Sequence, residues 1–153
     1  QRSLLRLRRA DRITLTYKSE NPQKQGDYKV HTEYEASVDS FEAMENILVS
    51  LGFHAAQTYE KIRRTYELGP VELCLDTMPY GGFLEIEGPG EAIRAVSERL
   101  SLAWEERILM NYLEMFEKIR KTADLSFTDV TFENFRGVRS EDMAALIRGF
   151  RAG

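Results

Sequence analysis

Four short stretches of this chain alternate charged with apolar residues, and each keeps its charges to one sign. They hold Arg6 and Arg8 around Leu7, Glu33 and Glu35 around Tyr34, Lys61 and Arg63 around Ile62, and Glu85 and Glu87 around Ile86. In an extended strand residues i and i+2 point the same way. Each stretch therefore aims two like charges at one side of a sheet and an apolar residue at the other. A merely solvated face mixes its signs within every strand. Sorting them strand by strand makes a surface able to hold a polyanion together with the divalent metals that accompany it.

The 153 residues fit one domain, and a hydrophobic content of 42% is ample for a core. A formal charge of -4 argues against a general nucleic-acid binder, whose footprint is a basic excess. Cys74 is the only cysteine, so no disulfide can form within the chain, and a reducing, cytoplasmic setting is the natural expectation. No apolar run approaches the length of a membrane span, and the first residues lack the shape of a signal peptide. The chain opens on Gln1, directly inside a strand-like pattern, so a segment upstream is expected.

Strand signals dominate the first part. Residues 4–9 and 13–18 alternate and are joined by Ala10, Asp11 and Arg12, a spacing suited to a hairpin. Residues 19–27 read as a polar loop and residues 28–38 as a further strand. Asp39 and Glu42 have capping-box spacing ahead of a helix carrying Phe41, Met44, Ile47 and Leu48, which Gly52 ends. Residues 55–68 read as one long strand, 71–77 and 83–87 as two more, with turns at Gly69 and Pro70 and at residues 79–82. Helical spacing returns over 89–100 and 108–122, then an aromatic run of Phe127, Phe132 and Phe135. Residues 138–153 form a solvated tail with a short helix capped by Ser140, and the domain proper is expected over 1–137. This order predicts an α+β fold built on antiparallel strands.

Parity places Arg6, Arg8, Lys18, Glu33, Glu35, Lys61, Arg63, Glu72, Asp76, Glu85 and Glu87 on one side of the strands. Leu5, Leu7, Leu15, Ile62, Tyr66, Leu73, Leu75, Leu84 and Ile86 take the other. A flat sheet would turn the charges to water. A sheet curled into a barrel would line its inside with them and leave the apolar face for amphipathic helices to cover, the inverse of an ordinary small barrel. Such a lining suits a triphosphate. Guanidinium forks bind phosphate oxygens in pairs, ammonium groups add point charges, and carboxylates offer oxygen ligands to Mg²⁺ or Mn²⁺. Phosphoryl transfer is mainly positioning and charge stabilisation, so no nucleophilic Ser or Cys is needed.

Several ordered pieces carry a resemblance. Leu5 to Arg9 as Leu-Arg-Leu-Arg-Arg, Leu15 to Lys18 as Leu-Thr-Tyr-Lys, the Glu33/Glu35 pair, Leu51-Gly52-Phe53, the Glu60 to Arg63 stretch with Tyr66, and Leu75-Asp76 followed by residues 82–88 stand in the order seen in the CYTH family. The Asn-Tyr-Leu-Glu-Met-Phe stretch at 111–116 and the segment from Phe127 to Phe132 resemble its bacterial cyclase-type branch. The likeness runs over residues 4–135. That family contains class IV adenylate cyclases, thiamine triphosphatase and inorganic triphosphatases, collectively triphosphate tunnel metalloenzymes. The resemblance implies an antiparallel tunnel, helices packed outside it, holding a nucleoside triphosphate or other triphosphate lengthwise with Mg²⁺ or Mn²⁺.

On this likeness Arg6, Arg8, Lys18, Lys61 and Arg63 hold phosphates, and Asp76, Glu85, Glu87 and Glu35 bind metal. Glu33, Lys61 and Arg63 serve the reaction. The family's N-terminal Glu-x-Glu-x-Lys strand precedes the point where this chain begins, so the tunnel is expected to be incomplete at that end. Glu33 and Glu35 do not replace that signature, because Ser37 stands where its Lys belongs.

The expected reaction is that of an adenylate cyclase, ATP to cyclic AMP and pyrophosphate, with a triphosphatase and a non-catalytic polyphosphate or nucleotide binder as alternatives. No nucleic-acid or membrane partner is expected, and a homodimer is left open. His31 and His54 read as surface residues, Cys74 as packing, Trp104 as a core or interface residue, and the Tyr112, Met115, Phe116, Ile119 stripe as helix packing.

Overall fold

The computed structural model describes residues 3–20 and 28–150, which form two compact units divided after Ala56. In the first unit β1 (Ser3–Arg9), β2 (Ile13–Glu20) and β3 (His31–Val38) form an antiparallel sheet in that order, followed by α1 (Phe41–Ser50). The expected hairpin is present, with Arg9 paired to Ile13 and the Ala10 N–H donating to the Arg12 carbonyl. The loop expected over 19–27 lies mostly outside the described residues; Ser19 and Glu20 still belong to β2. The α1 cap is Ser40, not Asp39: its hydroxyl accepts from the Ala43 N–H. Glu42 instead pairs with Arg9, whose guanidinium also lies 4.4 Å from the Phe41 ring.

The second unit opens with a three-stranded antiparallel meander of β4 (Ile62–Leu68), β5 (Val71–Met78) and β6 (Gly81–Glu87). Gly69 takes φ +61 in the two-residue turn between β4 and β5, a conformation that suits glycine. Gly88 sits so close to that turn that a Cβ would meet the Pro70 carbonyl oxygen at 2.9 Å. The long strand expected over 55–68 is shorter, because β5 offers no partner beyond Met78. Residues 58–60 pair instead with Val130, through bonds from Glu60 N–H to the Val130 carbonyl and from Val130 N–H to the Thr58 carbonyl.

Three helices complete the unit: α2 (Gly90–Arg99), α3 (Tyr112–Thr122) and α4 (Ser140–Arg148). α3 begins at Tyr112 rather than residue 108, held by a capping box in which the Asn111 and Glu114 side chains each bond the other's backbone N–H. α4 starts with Arg139 at its cap position and no side-chain cap bond. It is no solvated tail: Met143 is 2% exposed and joins Met78, Tyr80, Phe116, Ile119, Val130 and Phe135 in the core. Phe127 packs on both Phe116 and Phe135.

Helices were expected on the apolar side of the strands. In the second unit α3 meets the other side, because Met78 and Phe83 extend the charged parity with apolar residues at one end of the sheet. The Phe83 ring lies 5.1 Å from that of Tyr112, and the Tyr80 hydroxyl donates to the Tyr112 carbonyl at 2.8 Å. Part of the opposite face stays open, with Ile62 58% and Tyr66 52% exposed, although Val71 at its far end is buried. The fold is thus α+β with two antiparallel sheets and helices. Among the described residues no helix is long and apolar enough to cross a membrane.

Candidate functional site

In the first unit the β-register brings Arg6, Arg8, Lys18, Glu33 and Glu35 onto one face. Arg6 stands opposite Thr16, which stands opposite Glu35, and Lys18 stands opposite Glu33. Lys18 Nζ and Glu33 Oε2 are 2.7 Å apart. The Thr16 hydroxyl accepts from Arg6 Nη2 at 3.4 Å and donates to Glu35 Oε2 at 2.9 Å. That bond, followed by the positive charges of Arg8, Arg12 and Arg6, holds the Glu35 carboxyl below its ordinary range against the smaller effect of burial. Arg6, Arg8 and Lys18 thus bring three cations to the face that carries Glu33 and Glu35.

The second unit is built around Asp76, whose side chain has no exposed surface. Arg63 donates from Nε to Oδ1 at 2.7 Å and from Nη2 to Oδ2 at 2.6 Å, the forked geometry that lysine cannot make. Lys61 Nζ and the Tyr112 hydroxyl each donate to Oδ2 at 2.9 Å. Burial alone would raise the Asp76 pKa, but the donors from Arg63, Lys61 and Tyr112 outweigh it and the carboxyl stays ionised below its usual range. The bond to Asp76 raises the already high Arg63 pKa further. Tyr112 is pushed upward, first by burial and then by the Glu85 and Asp76 charges, so it remains a donor.

Arg63 Nη2 also bonds Glu85, while Nη1 makes only a 3.4 Å contact with Glu87. Nη1 is therefore the corner of the guanidinium that an incoming phosphate oxygen can claim at least cost. Glu87 stands across the ladder from Glu72, two like charges directly opposed. Carboxylate oxygens of this pair and the Cys74 sulfur all lie within 4.8 Å of one another. With Asp76 and Glu85 added, four carboxylates face the two cations Lys61 and Arg63.

A divalent cation fits this acidic excess. Its donor set is oxygen: burial and the bond to Glu72 push the Cys74 thiol up to about 11, so at neutral pH it stays protonated. Hard oxygen donors match Mg²⁺ or Mn²⁺. Asp76, expected among the metal ligands, has its oxygens taken by Arg63, Lys61 and Tyr112, and a metal would have to displace these donors. Among the described residues Glu72 and Glu87 are contacted by Cys74 and by Arg63 at 3.4 Å, respectively.

Thus the structure gathers Lys61, Arg63, Asp76, Glu85 and Glu87 within the second unit, and Arg6, Arg8, Lys18, Glu33 and Glu35 within the first. Tyr112 is a contact that strand parity misses, and Thr16 one that attention to charged residues alone passes over. The aromatic stripe that includes Tyr112 reads as packing, and only its terminal hydroxyl hints at a second use. Thr16 shares the parity of Lys18 in the Leu-Thr-Tyr-Lys stretch, a signal available in the sequence.

A family profile described as the CYTH domain matches residues 1–123. Among solved structures the chain is similar to the PH1012 protein of Pyrococcus horikoshii OT3, at 27% identity over 73% of each chain with a TM-score of 0.66. It is also similar to a conserved hypothetical protein of Pyrococcus furiosus, at 26% identity over 73% of this chain and 74% of that one, with a TM-score of 0.63. The comparison with curated proteins returns no match.

Proposed function

The chain belongs to the CYTH domain family, and on that footing we propose that it is a metal-dependent enzyme acting on a triphosphate. The observation that carries this reading is the cluster of Lys61, Arg63, Asp76, Glu85 and Glu87, where oriented cations and an excess of carboxylates share one face. A binding surface for phosphate alone would gain nothing from that acidic excess. A surface for phosphate with its metal needs both.

In this reading Arg6, Arg8 and Lys18 hold phosphate oxygens on the first unit, and Lys61 and Arg63 do so on the second. Asp76 and Tyr112 fix the two cations in place, so little side-chain entropy is lost when the substrate arrives. Glu85 and Glu87, joined by Glu72, are proposed metal ligands on the second unit, and Glu35 is one on the first. Bound Mg²⁺ or Mn²⁺ would neutralise phosphate charge and make an attacking hydroxyl more acidic. Glu33, tied to Lys18, positions the attacking group. The family's antiparallel tunnel is part of the same proposal.

The first reaction proposed is the adenylate cyclase one, supported by the cyclase-like stretches at 111–116 and 127–132. A ribose hydroxyl oxygen bonds the α-phosphorus, the bond from that phosphorus to the pyrophosphate oxygen breaks, and cyclic AMP and pyrophosphate leave. A second reading, a triphosphatase in which water attacks the terminal phosphorus, is favoured by one observation. Among the described residues the charged faces of β1 to β6 carry few rings on which a base could stack: Phe83, which packs on Tyr80 and Tyr112, and the imidazole of His31.

Incubation of the protein with ATP and Mg²⁺ or Mn²⁺, with products separated by chromatography, decides between them. Cyclic AMP and pyrophosphate in equal amounts support the cyclase. Orthophosphate with ADP from ATP, or with pyrophosphate from tripolyphosphate, and no cyclic AMP, assigns the second reading. Neither product, together with no binding of tripolyphosphate, removes both.

A further inference from the structure

The two cations of the second unit's charged face are held in different ways. Arg63 stands inside β4, paired across the ladder with Asp76, and forks onto that carboxylate. Lys61 stands one residue ahead of β4, where the ladder with β5 has already ended at the Ile62–Thr77 pair. Backbone beyond its last rung opens easily unless something else ties it.

What ties it is the segment 128–132. Tyr59 and Val130 form a parallel bridge, in which the Val130 N–H donates to the Thr58 carbonyl at 2.8 Å and the Glu60 N–H to the Val130 carbonyl at 2.9 Å. A carboxylate closes each end. Asp129 Oδ1 accepts from the Thr58 N–H at 2.8 Å, and Glu60 Oε2 accepts from the Phe132 N–H at 2.8 Å. The Gln57 amide adds a bond to the Thr128 carbonyl. Val130 has no exposed surface and anchors the bridge in the aromatic core. The segment lies beyond residues 1–123, which the family profile matches.

We propose that Glu60 and Asp129 are positioning residues for the substrate. By clamping 57–60 to 128–132 they set the point from which the Lys61 side chain enters the charged face, and so where its ammonium meets a phosphate. The inference rests on the triphosphate function proposed above and adds two residues that act through Lys61. The reason is geometric. Asp76, 2.9 Å from Nζ, and the Tyr112 ring, 5.6 Å away, guide the tip of the lysine. The stem is flexible, so only a fixed backbone makes that tip position reproducible.

The test is a thermodynamic cycle in the whole chain, read by calorimetric titration with tripolyphosphate and Mg²⁺, with thermal melts beside it. Glu60→Ala is expected to weaken binding roughly three- to tenfold, as a bond to a charged group becomes less well made. Glu60→Gln, whose amide oxygen still accepts from the Phe132 N–H, should stay within about twofold of the parent. Asp129→Ala, at the other end of the bridge, should repeat the Glu60→Ala result. In a Lys61→Ala background Glu60→Ala should have no further effect on affinity, because the cation it serves is gone. A clamp that merely holds the fold would weaken binding equally with or without Lys61, and that result overturns the proposal. A loss in Glu60→Gln as deep as in Glu60→Ala also overturns it, since the charge itself would then matter. So does full affinity in Lys61→Ala, or in both Glu60→Ala and Asp129→Ala. Each of these leaves the triphosphate reading standing. Failure of the parent protein to bind tripolyphosphate overturns the proposal and the proposed function together.

Discussion

A carboxylate with no exposed surface persists in ionised form only where its donors outweigh the water it has lost. Asp76 meets that condition with two cations and a phenol, and the cations themselves keep some contact with solvent. Asp76→Asn would turn an amide donor toward Lys61 and Arg63 and should cost about 2–4 kcal/mol of unfolding free energy in urea titrations, somewhat below the range for fully buried pairs. An unchanged midpoint would mean that the donors around Asp76 do not depend on its charge. The pH dependence has a definite sign. Because the folded-state pKa of Asp76 is depressed, its contribution is complete above the unfolded value of about 4 and fades as pH falls through the lower folded value. The stability gap between parent and variant should therefore close in strong acid. Strand parity alone identified Lys61, Arg63, Asp76, Glu85 and Glu87 as neighbours, because alternation has only two faces to choose from. Tyr112 was not legible as their partner. It lies 36 residues beyond Asp76, and packing of a helix on a sheet brought it there.

Elements were easier to find than to bound or to orient. The meander of β4, β5 and β6 and its turns follow directly from alternation and from Gly69 and Pro70. The over-long strand ahead of β4 does not, since a strand ends where its partner ends, and partners are not written locally. Apolar spacing alone starts α3 four residues early because Ile108 continues it, whereas the Asn111–Glu114 box sets the true start. Asn111→Ala should cost about 1 kcal/mol in thermal or urea unfolding, as caps of this kind do. α4 carries the larger lesson: its short length and charged surroundings suggested solvation, yet Met143 reaches the aromatic core. Met143→Ala should cost roughly 2–4 kcal/mol. A cost near zero would restore the view of a loose tail.

At the scale of the whole molecule the sorted signs have a simple reading. The charged face of the first unit gathers Arg6, Arg8 and Lys18 beside Glu33 and Glu35, and that of the second unit holds carboxylates in excess of its cations. The order of the motifs carried the family, and the alternation carried the faces. The metal's neighbours were only partly legible, because nothing local showed that Asp76 would be consumed by its own cations or that Glu72 would face Glu87. The measurement that bears most directly on this account is calorimetric titration of tripolyphosphate with and without Mg²⁺, in the parent protein and in Glu87→Gln. The account predicts that Mg²⁺ tightens binding roughly tenfold or more, worth about 1.4 kcal/mol, and that Glu87→Gln removes this gain without unfolding the protein. Equal affinity in the presence and absence of metal, or a metal effect that survives Glu87→Gln undiminished, would contradict it.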